Sequence, residues 1–406
     1  MLCRRSRGNA SLQRNARAIP AKERRVTAMA TQGSHAPALG AEDVLAALGL
    51  AAGGEESEVP YTVLRGNNGP RWLLPQQSRM ARTILREWRP YGLATHLFWR
   101  GLRLAARCGA LRLVPGTAQV RLPRDAGKRL LSRFGIAGEA GAPVILVGNT
   151  VATRKLIVFV EVSGRENAVI KVPLTPVART SIGAEAEVLK RLSGEHGAPR
   201  LLGYQLDTGA TLQEYLAGRL GSRRLKPAYL KLLIDLARKG ETVTLRERAR
   251  ALEERLRRPA DPGEFPAAIE RALALLEDDT RLPAALVHGD CAPWNIREME
   301  DGGCALIDWE SAEWQGLPMH DLCHFFCMQA RLFAPHTLFS EAVERDGSWR
   351  RYLRELAIPL RLFRPLAAAF LLESLLRARE WEPRESAAFY GKQLDRFLRT
   401  GSSTAA

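Results

Sequence analysis

Hydrophobic and polar positions along this chain fall into two regimes. Short β-branched runs at 144–147, 156–162 and 168–172 are separated by Gly148-Asn149-Thr150 and Ser163-Gly164-Arg165-Glu166-Asn167, the pattern of a three-strand meander. A helical period covers 182–192, and two more strands are predicted at 201–206 and 210–216. Further on, apolar residues recur every three or four positions at 227–238, 245–257, 267–276, 319–332, 349–356, 365–379 and 385–398, each predicting a helix. Apolar strands at 284–287 and 304–307 interrupt this series. The second is reached from 295–299 through Glu300-Asp301-Gly302-Gly303, a turn that predicts a hairpin. The expected class is α+β: a small antiparallel sheet lobe over 143–212, then a mainly helical lobe over 213–398.

Residues 41–135 form an N-terminal extension of mixed pattern, with strands predicted at 61–64 and 72–74 and helices at 80–89 and 95–113. The second helix combines Phe98, Trp99, Leu102 and Leu104 with Arg100, Arg103 and Arg107, a basic amphipathic pattern. Packing on the rest of the chain is the commoner use of such a helix, and peripheral contact with a membrane or a lipid-linked substrate is the alternative. Residues 1–40 are expected to be a disordered basic terminus: residues 1–28 alone carry a local charge of +7. Arg4, Arg5 and Arg7 precede no apolar core, which excludes a secretory signal. An organellar transit peptide, or a true start at Met29, are the other readings.

Composition narrows the class. The chain has 406 residues, 46% of them hydrophobic, and a formal charge of +16. No apolar run reaches the length of a membrane span. Basic charge without stacking aromatics or a nucleic-acid motif argues against a nucleic-acid partner. Six scattered cysteines form no disulfide framework and point to reduced thiols in the cytoplasm. His320, Cys323, His324 and Cys327 share one helical face, but a single helix does not wrap a tetrahedral zinc ion. Cys291 is a candidate for oxidative inhibition.

The chemistry is concentrated in His288-Gly289-Asp290-Cys291-Ala292-Pro293-Trp294-Asn295, followed by Leu306-Ile307-Asp308-Trp309-Glu310. Apart from Gly289, this matches the H-R-D-x-x-x-x-N loop and later aspartate of kinases. On that template Asp290 is the base for an attacking hydroxyl, and Asn295 and Asp308 are oxygen ligands for Mg²⁺ on ATP phosphates. His288 is expected to hold the loop. Lys171, in Val169-Ile170-Lys171-Val172, takes the position of the kinase strand lysine that holds the phosphates.

With Pro318-Met319-His320-Asp321-Leu322 added, the chain resembles the aminoglycoside phosphotransferase and choline kinase-like family over roughly 143–395, most specifically at 286–325. The resemblance implies a protein-kinase-like two-lobe fold, ATP and Mg²⁺ as cofactors, and a small-molecule hydroxyl as acceptor. It also implies that Glu185 pairs with Lys171, with Glu187 about 200° away on the helix, and that the backbone of 213–216, including Glu214 and Tyr215, binds adenine. Asn149 and Thr150 are candidates for phosphate contacts.

Departures from protein kinases favour a small substrate. Gly289 cannot pair with an activation-loop phosphate, no Ala-Pro-Glu follows Asp308, and only about ten residues precede the next helix. Trp294, Trp309 and Trp314 are candidates for stacking on a sugar or, with Glu310 and Glu313, for enclosing a cation. A sugar or lipid-linked saccharide is the first expectation for the acceptor, and an amino alcohol or aminoglycoside the second. Two classes remain: a transferase, favoured by the presence of Lys171, Asp290, Asn295 and Asp308 together, and a pseudokinase that binds nucleotide or a partner without turnover.

Overall fold

The computed structural model describes residues 39–400 apart from 51–57, 67–68, 89, 91, 149–152, 165, 239–240, 258–264 and 382–383. The expectations for residues 1–38, and those for Asn149 and Thr150, lie outside the described residues.

Eight strands build the N-terminal lobe: β1 (Glu58–Gly66), β2 (Gly69–Pro75), β3 (Ala118–Pro123), β4 (Val144–Val147), β5 (Lys155–Val160), β6 (Ala168–Pro173), β7 (Leu201–Tyr204) and β8 (Thr211–Glu214). They lie side by side in the order β3-β1-β2-β4-β5-β6-β8-β7. Every neighbouring pair is antiparallel. The extension therefore shares one sheet with the lobe that follows it. Trp72 faces Leu146 and Leu73 faces Ile145 across the join, and the Tyr61 hydroxyl donates to the Pro143 carbonyl at 2.9 Å. β3 was not foreseen although Ala118-Gln119-Val120-Arg121-Leu122 alternates apolar and polar; of its residues only Leu122 is fully buried.

Alternation along the strands sorts side chains onto two faces. Leu156, Val158 and Val160 of β5 join Tyr61, Val63 and Leu73 on one face, which Val44 and Leu45 of the helix Ala41–Ala47 and Leu130 and Leu131 of Ala126–Ser132 cover. Phe159, Trp72, Leu74 and Leu146 point the other way, against Met80 and Ile84 of the helix Arg79–Glu87 and Trp99 and Leu102 of Leu93–Arg107. Each of these large side chains contributes about 1.5–3 kcal/mol by leaving water. Lys155 shares the face of Phe159, and Lys171 stands opposite Ile157 on that same face. Strand parity thus brings both lysines to one side of the sheet.

The helix Pro176–Leu192 starts where Thr175 Oγ1 accepts the Ala178 N–H at 3.1 Å and Pro176 supplies a preset first turn, and it stops at Ser193, which is left-handed. The C-terminal lobe is built from the helices Pro227–Ala237, Leu245–Arg257, Pro266–Leu275, His320–Phe333, Phe339–Asp346, Ser348–Glu355, Phe363–Trp381 and Arg384–Thr400. Phe339–Asp346 was not foreseen; it spans barely two turns. Phe363–Trp381 buries Leu366, Phe370, Leu371, Leu372 and Leu375 around its circumference and is the axis of this lobe. Short strands carry the loops: β9 (Arg219–Leu220), β10 (Thr242–Val243), β11 (Leu282–Pro283), β12 (Ala285–Val287), β13 (Ile296–Glu298), β14 (Cys304–Leu306) and β15 (Glu313–Gly316). β13 and β14 form the hairpin, with Ile296 opposite Leu306 and the Met299 N–H bonded to the Gly303 carbonyl at 3.0 Å. No helix among the described residues is long and apolar enough to cross a membrane.

Candidate active site

The loop after β12 is held by its backbone. Asp321, at the start of His320–Phe333, accepts the His288 N–H at 2.7 Å and the Gly289 N–H at 2.9 Å, one on each carboxylate oxygen. Gly289 is left-handed (φ +78°), and a Cβ there would stand 2.3 Å from the Ser311 carbonyl oxygen. That is the local reason the kinase arginine is absent. The His288 ring accepts the Asp290 N–H on Nδ1 (3.2 Å) and donates from Nε2 to the Ile307 carbonyl (3.0 Å), which fixes one neutral tautomer. Burial lowers its pKa, so it stays neutral while tying the loop to the strand that delivers Asp308.

Asn295 follows one 3-10 turn later, and its amide donates to the Asp290 carbonyl (2.9 Å) and to Asp290 Oδ2 (2.8 Å). Burial at the cleft floor, followed by the charge of Asp308, pushes the Asp290 carboxyl up to about 7, against an ordinary 3.8. About a third of this side chain, 36%, remains open to the cleft. His324 lies beside it. Its Nδ1 donates to the Cys291 carbonyl at 3.1 Å, leaving Nε2 3.6 Å from Asp290 Oδ1. Burial drops the His324 pKa to about 3, so a neutral ring faces the candidate base.

A cluster of charge joins the two lobes. Asp308 is left-handed (φ +70°), a conformation that costs about 1–3 kcal/mol in most residues and is better tolerated by aspartate. Its Oδ1 accepts from Lys171 Nζ and from Lys155 Nζ, each at 2.8 Å. Lys171 also donates to both oxygens of Glu185, at 2.7 and 2.8 Å, and Lys155 donates to Glu310 at 2.6 Å. Glu185 is fully buried and accepts further from Gln213 Nε2 (3.0 Å) and the Trp309 N–H (3.1 Å). Glu187 is exposed on the far side of the helix. Burial opposes charge on both lysines, yet the surrounding carboxylates raise their pKa values, and the two ammonium groups hold Asp308 far below the usual carboxylate range despite its own burial. Lys155 was missed in the sequence because it stands one residue before the apolar run of β5; its strand parity with Phe159 was the available signal.

Two expectations meet other contacts here. The N–H groups of Glu214 and Tyr215 are already bonded, to the Arg200 carbonyl (2.9 Å) and the Asn167 carbonyl (3.0 Å), so neither is free to donate to a purine. The Glu214 carboxylate is bonded to Arg200, and the Tyr215 hydroxyl to Glu87 of the extension. The first hinge N–H without a partner among the described residues is that of Leu216. The tryptophan and glutamate enclosure is not assembled either. Trp309 is fully buried, its indole N–H donating to the Leu306 carbonyl and its ring meeting His288 at 4.7 Å. Glu313 is forked by Arg248 (2.5 and 2.9 Å), Glu310 is held by Lys155, and Trp314 carries Arg191 over its ring. Trp294, half-buried, stands in the 3-10 turn of the loop itself.

The four residues weighed for zinc have other surroundings: Cys323 and Cys327 lie in the apolar core, His320 Nδ1 is 3.1 Å from Glu373, and His324 is bonded as described. Burial raises the Cys291 thiol pKa well above its ordinary value, which disfavours the thiolate that oxidation requires.

A sequence model of the phosphotransferase enzyme family matches residues 155–357, half of the chain and the whole of this site. The chain belongs to that family. No curated protein matches this family member. Among solved structures, it is similar to a thermostable mutant of aminoglycoside phosphotransferase APH(4)-Ia in ternary complex with ADP and hygromycin B. The identity is 17%, the alignment covers 69% of this chain and 100% of that one, and the TM-score is 0.48. Choline kinase LicA from Streptococcus pneumoniae is also similar (14% identity, 60% and 89% covered, TM-score 0.43). So is the GDP and kanamycin complex of APH(2")-IIia (14%, 68% and 98%, 0.41).

The donor set of this phosphotransferase suits magnesium on a nucleotide. Asn295 spends its amide hydrogens on Asp290, which leaves its carbonyl oxygen, and Asp308 Oδ2 has no partner among the described residues. Two hard oxygens are what Mg²⁺ takes from a protein when phosphates and water complete its shell.

Proposed function

We propose that this chain transfers the γ-phosphate of ATP, with Mg²⁺, to a hydroxyl of a small molecule. The observation that carries the reading is the convergence of Lys171, Asp308, Asn295 and Asp290, drawn from both lobes, on one cleft. Bound Mg·ATP supplies the electrophilic phosphorus and the leaving group. Lys171, fixed by Glu185, presents an ammonium to the phosphates. Asp290 receives the acceptor's proton on the carboxylate whose other contact, Asn295, fixes its orientation. Lys155 offsets Asp308 and Glu310 and holds the strand-end aspartate in place. Leu216, the first free N–H of the hinge, is the candidate donor to the base.

The acceptor class follows from charge. Glu310 and Glu313 are neutralised by Lys155 and Arg248, so the carboxylates nearest the hairpins are not available to a polycation. A hydroxyl-rich neutral compound such as a saccharide fits better than an aminoglycoside or choline. The five cysteines among the described residues are unpaired thiols, which accords with a cytoplasmic setting. The test is Mg²⁺-dependent ATP consumption over a panel of sugars, amino alcohols, aminoglycosides and nucleosides, with Asp290→Asn as the blank. Stimulation by one class, absent in the variant, is the expected result; tight nucleotide binding with no stimulation by any acceptor would favour a pseudokinase.

A further inference from the structure

We propose that the helical pair spanning residues 79–107 is a docking surface for an anionic lipid bilayer, a role separate from phosphoryl transfer. Residues 59–124 hold twelve arginines and no lysine against Glu87 alone, a local charge of +11 in a chain whose total is +16. Glu87 does not offset them at the surface: it is buried and accepts the Tyr215 hydroxyl.

The helices gather this charge. Arg79, Arg82 and Arg86 fall on one face of Arg79–Glu87 and, with Thr83, meet Arg103 and Arg107 of Leu93–Arg107 around a cavity of about 250 Å³. The pairs nearest to compensation are long, Arg79 to Glu161 at 3.9 Å and Arg86 to Glu87 at 4.0 Å. Arg82, Arg100, Arg103 and Arg107 have no acidic partner among the described residues. The Arg103 pKa is lowered by its burial and then by the like charges of Arg107, Arg100, Arg219 and Arg86, so these groups repel one another as they stand.

An exposed apolar stripe adjoins the arginines. Trp99, Leu102 and Ala106 bury one face of Leu93–Arg107, while Leu97 and Leu104 on the opposite side are 57% and 63% exposed, and Phe98, 51% exposed, flanks the buried face on the side away from the arginines. At 100° per residue, Arg100, Arg103 and Arg107 run along the border of that stripe. Leu113, 73% exposed, extends it past the helix end. A nucleic acid would use the guanidinium groups but leave the stripe in water. An apolar protein face would cover the stripe but strand the arginines. A phosphate-bearing bilayer satisfies both: apolar side chains enter the acyl boundary and guanidinium groups meet lipid phosphates.

The experiment is co-sedimentation of the full chain with vesicles of phosphatidylcholine alone and with phosphatidylglycerol added. Two double variants are compared, Phe98→Ser with Leu104→Ser and Arg103→Gln with Arg107→Gln, all at exposed or half-exposed positions, with circular dichroism to show retained fold. Expected are binding to the anionic vesicles only, a loss of about 25-fold for the arginine pair at roughly 5-fold per charge, and a loss for the apolar pair as well. No sedimentation with anionic vesicles would overturn the proposal. So would binding unchanged in both variants, which would assign it to charge elsewhere in the chain. Displacement by millimolar glycerol phosphate, beyond that of sodium chloride at equal ionic strength, would overturn it in favour of a soluble phosphate ligand. A self-association seen by light scattering and abolished by the apolar pair, without vesicle binding, would make the stripe an interface between copies.

Discussion

The cleft between the lobes and the arginine helices of the extension handle charge in opposite ways. In the cleft, two ammonium groups are matched to three carboxylates at 2.6–2.8 Å, and Glu185, at the centre, is wholly removed from water. On the helices, arginines stand together with long pairs or none. Buried charge has to be paired within the fold, because an unpaired ion in low dielectric costs several kcal/mol. Surface charge need not be, so a field of one sign can be kept for a partner that brings the other. The first arrangement is a preorganised site; the second is an address.

The largest effect expected from breaking the cleft is on rate. Asp290→Asn should lower kcat by about 10²–10⁴-fold, with the KM for ATP little changed, measured by coupled ADP release. The same variant should be more thermostable at pH 8. The native carboxyl titrates near 7, against 3.8 in an ordinary setting, so folding loses stability as pH rises between those values, and the amide removes that loss. With a third of the side chain open to solvent, the gain is put at only about 1–4 °C.

Next in size is Lys155→Met. It leaves Glu310 without its buried partner and Asp308 with Lys171 alone, and should cost about 3–5 kcal/mol in denaturant unfolding. Arg107→Gln on the exposed helix should cost less than about 0.5 kcal/mol in the same assay. Equal losses would erase the distinction between paired and stored charge.

A third effect is on pH. A base with a pKa near 7 gives kcat/KM an acidic limb, activity falling as pH drops through that value because the carboxylate becomes protonated. The profile of the free enzyme reports it directly, and a limb near 4 would show that Asp290 keeps its ordinary acidity.

The smallest effects discriminate neighbours. Glu187→Ala, on the exposed helix face, should leave activity within about 2-fold, whereas Glu185→Gln should lower it by at least about 10-fold by releasing Lys171.

Much of this was legible in the chain. The spacing of Asp290, Asn295 and Asp308 announced the hairpin, and the helical period placed Glu185 and Glu187 on different faces. Most elements with strong alternation or long periods were found, while β3, alternating but short and with one buried residue, and the short helix Phe339–Asp346 were not. Lys155, the first residue of β5, was missed because it precedes the apolar run that marked the strand, although its parity with Phe159 placed it on the cleft face. Trp309 and Glu313 misled for the opposite reason: their types suit a ligand box, but burial and the Arg248 fork are tertiary facts. The hinge donors depended on which backbone N–H groups the sheet had already taken, and no side chain records that.

The most direct test of the central claim is transfer of labelled γ-phosphate from ATP to an acceptor, comparing the native chain with Asp290→Asn in the presence and absence of Mg²⁺. The account predicts a phosphorylated small molecule that forms only with Mg²⁺ and only when Asp290 is present. Transfer that persists at the native rate in Asp290→Asn, or that proceeds equally well with Mg²⁺ chelated, would contradict it.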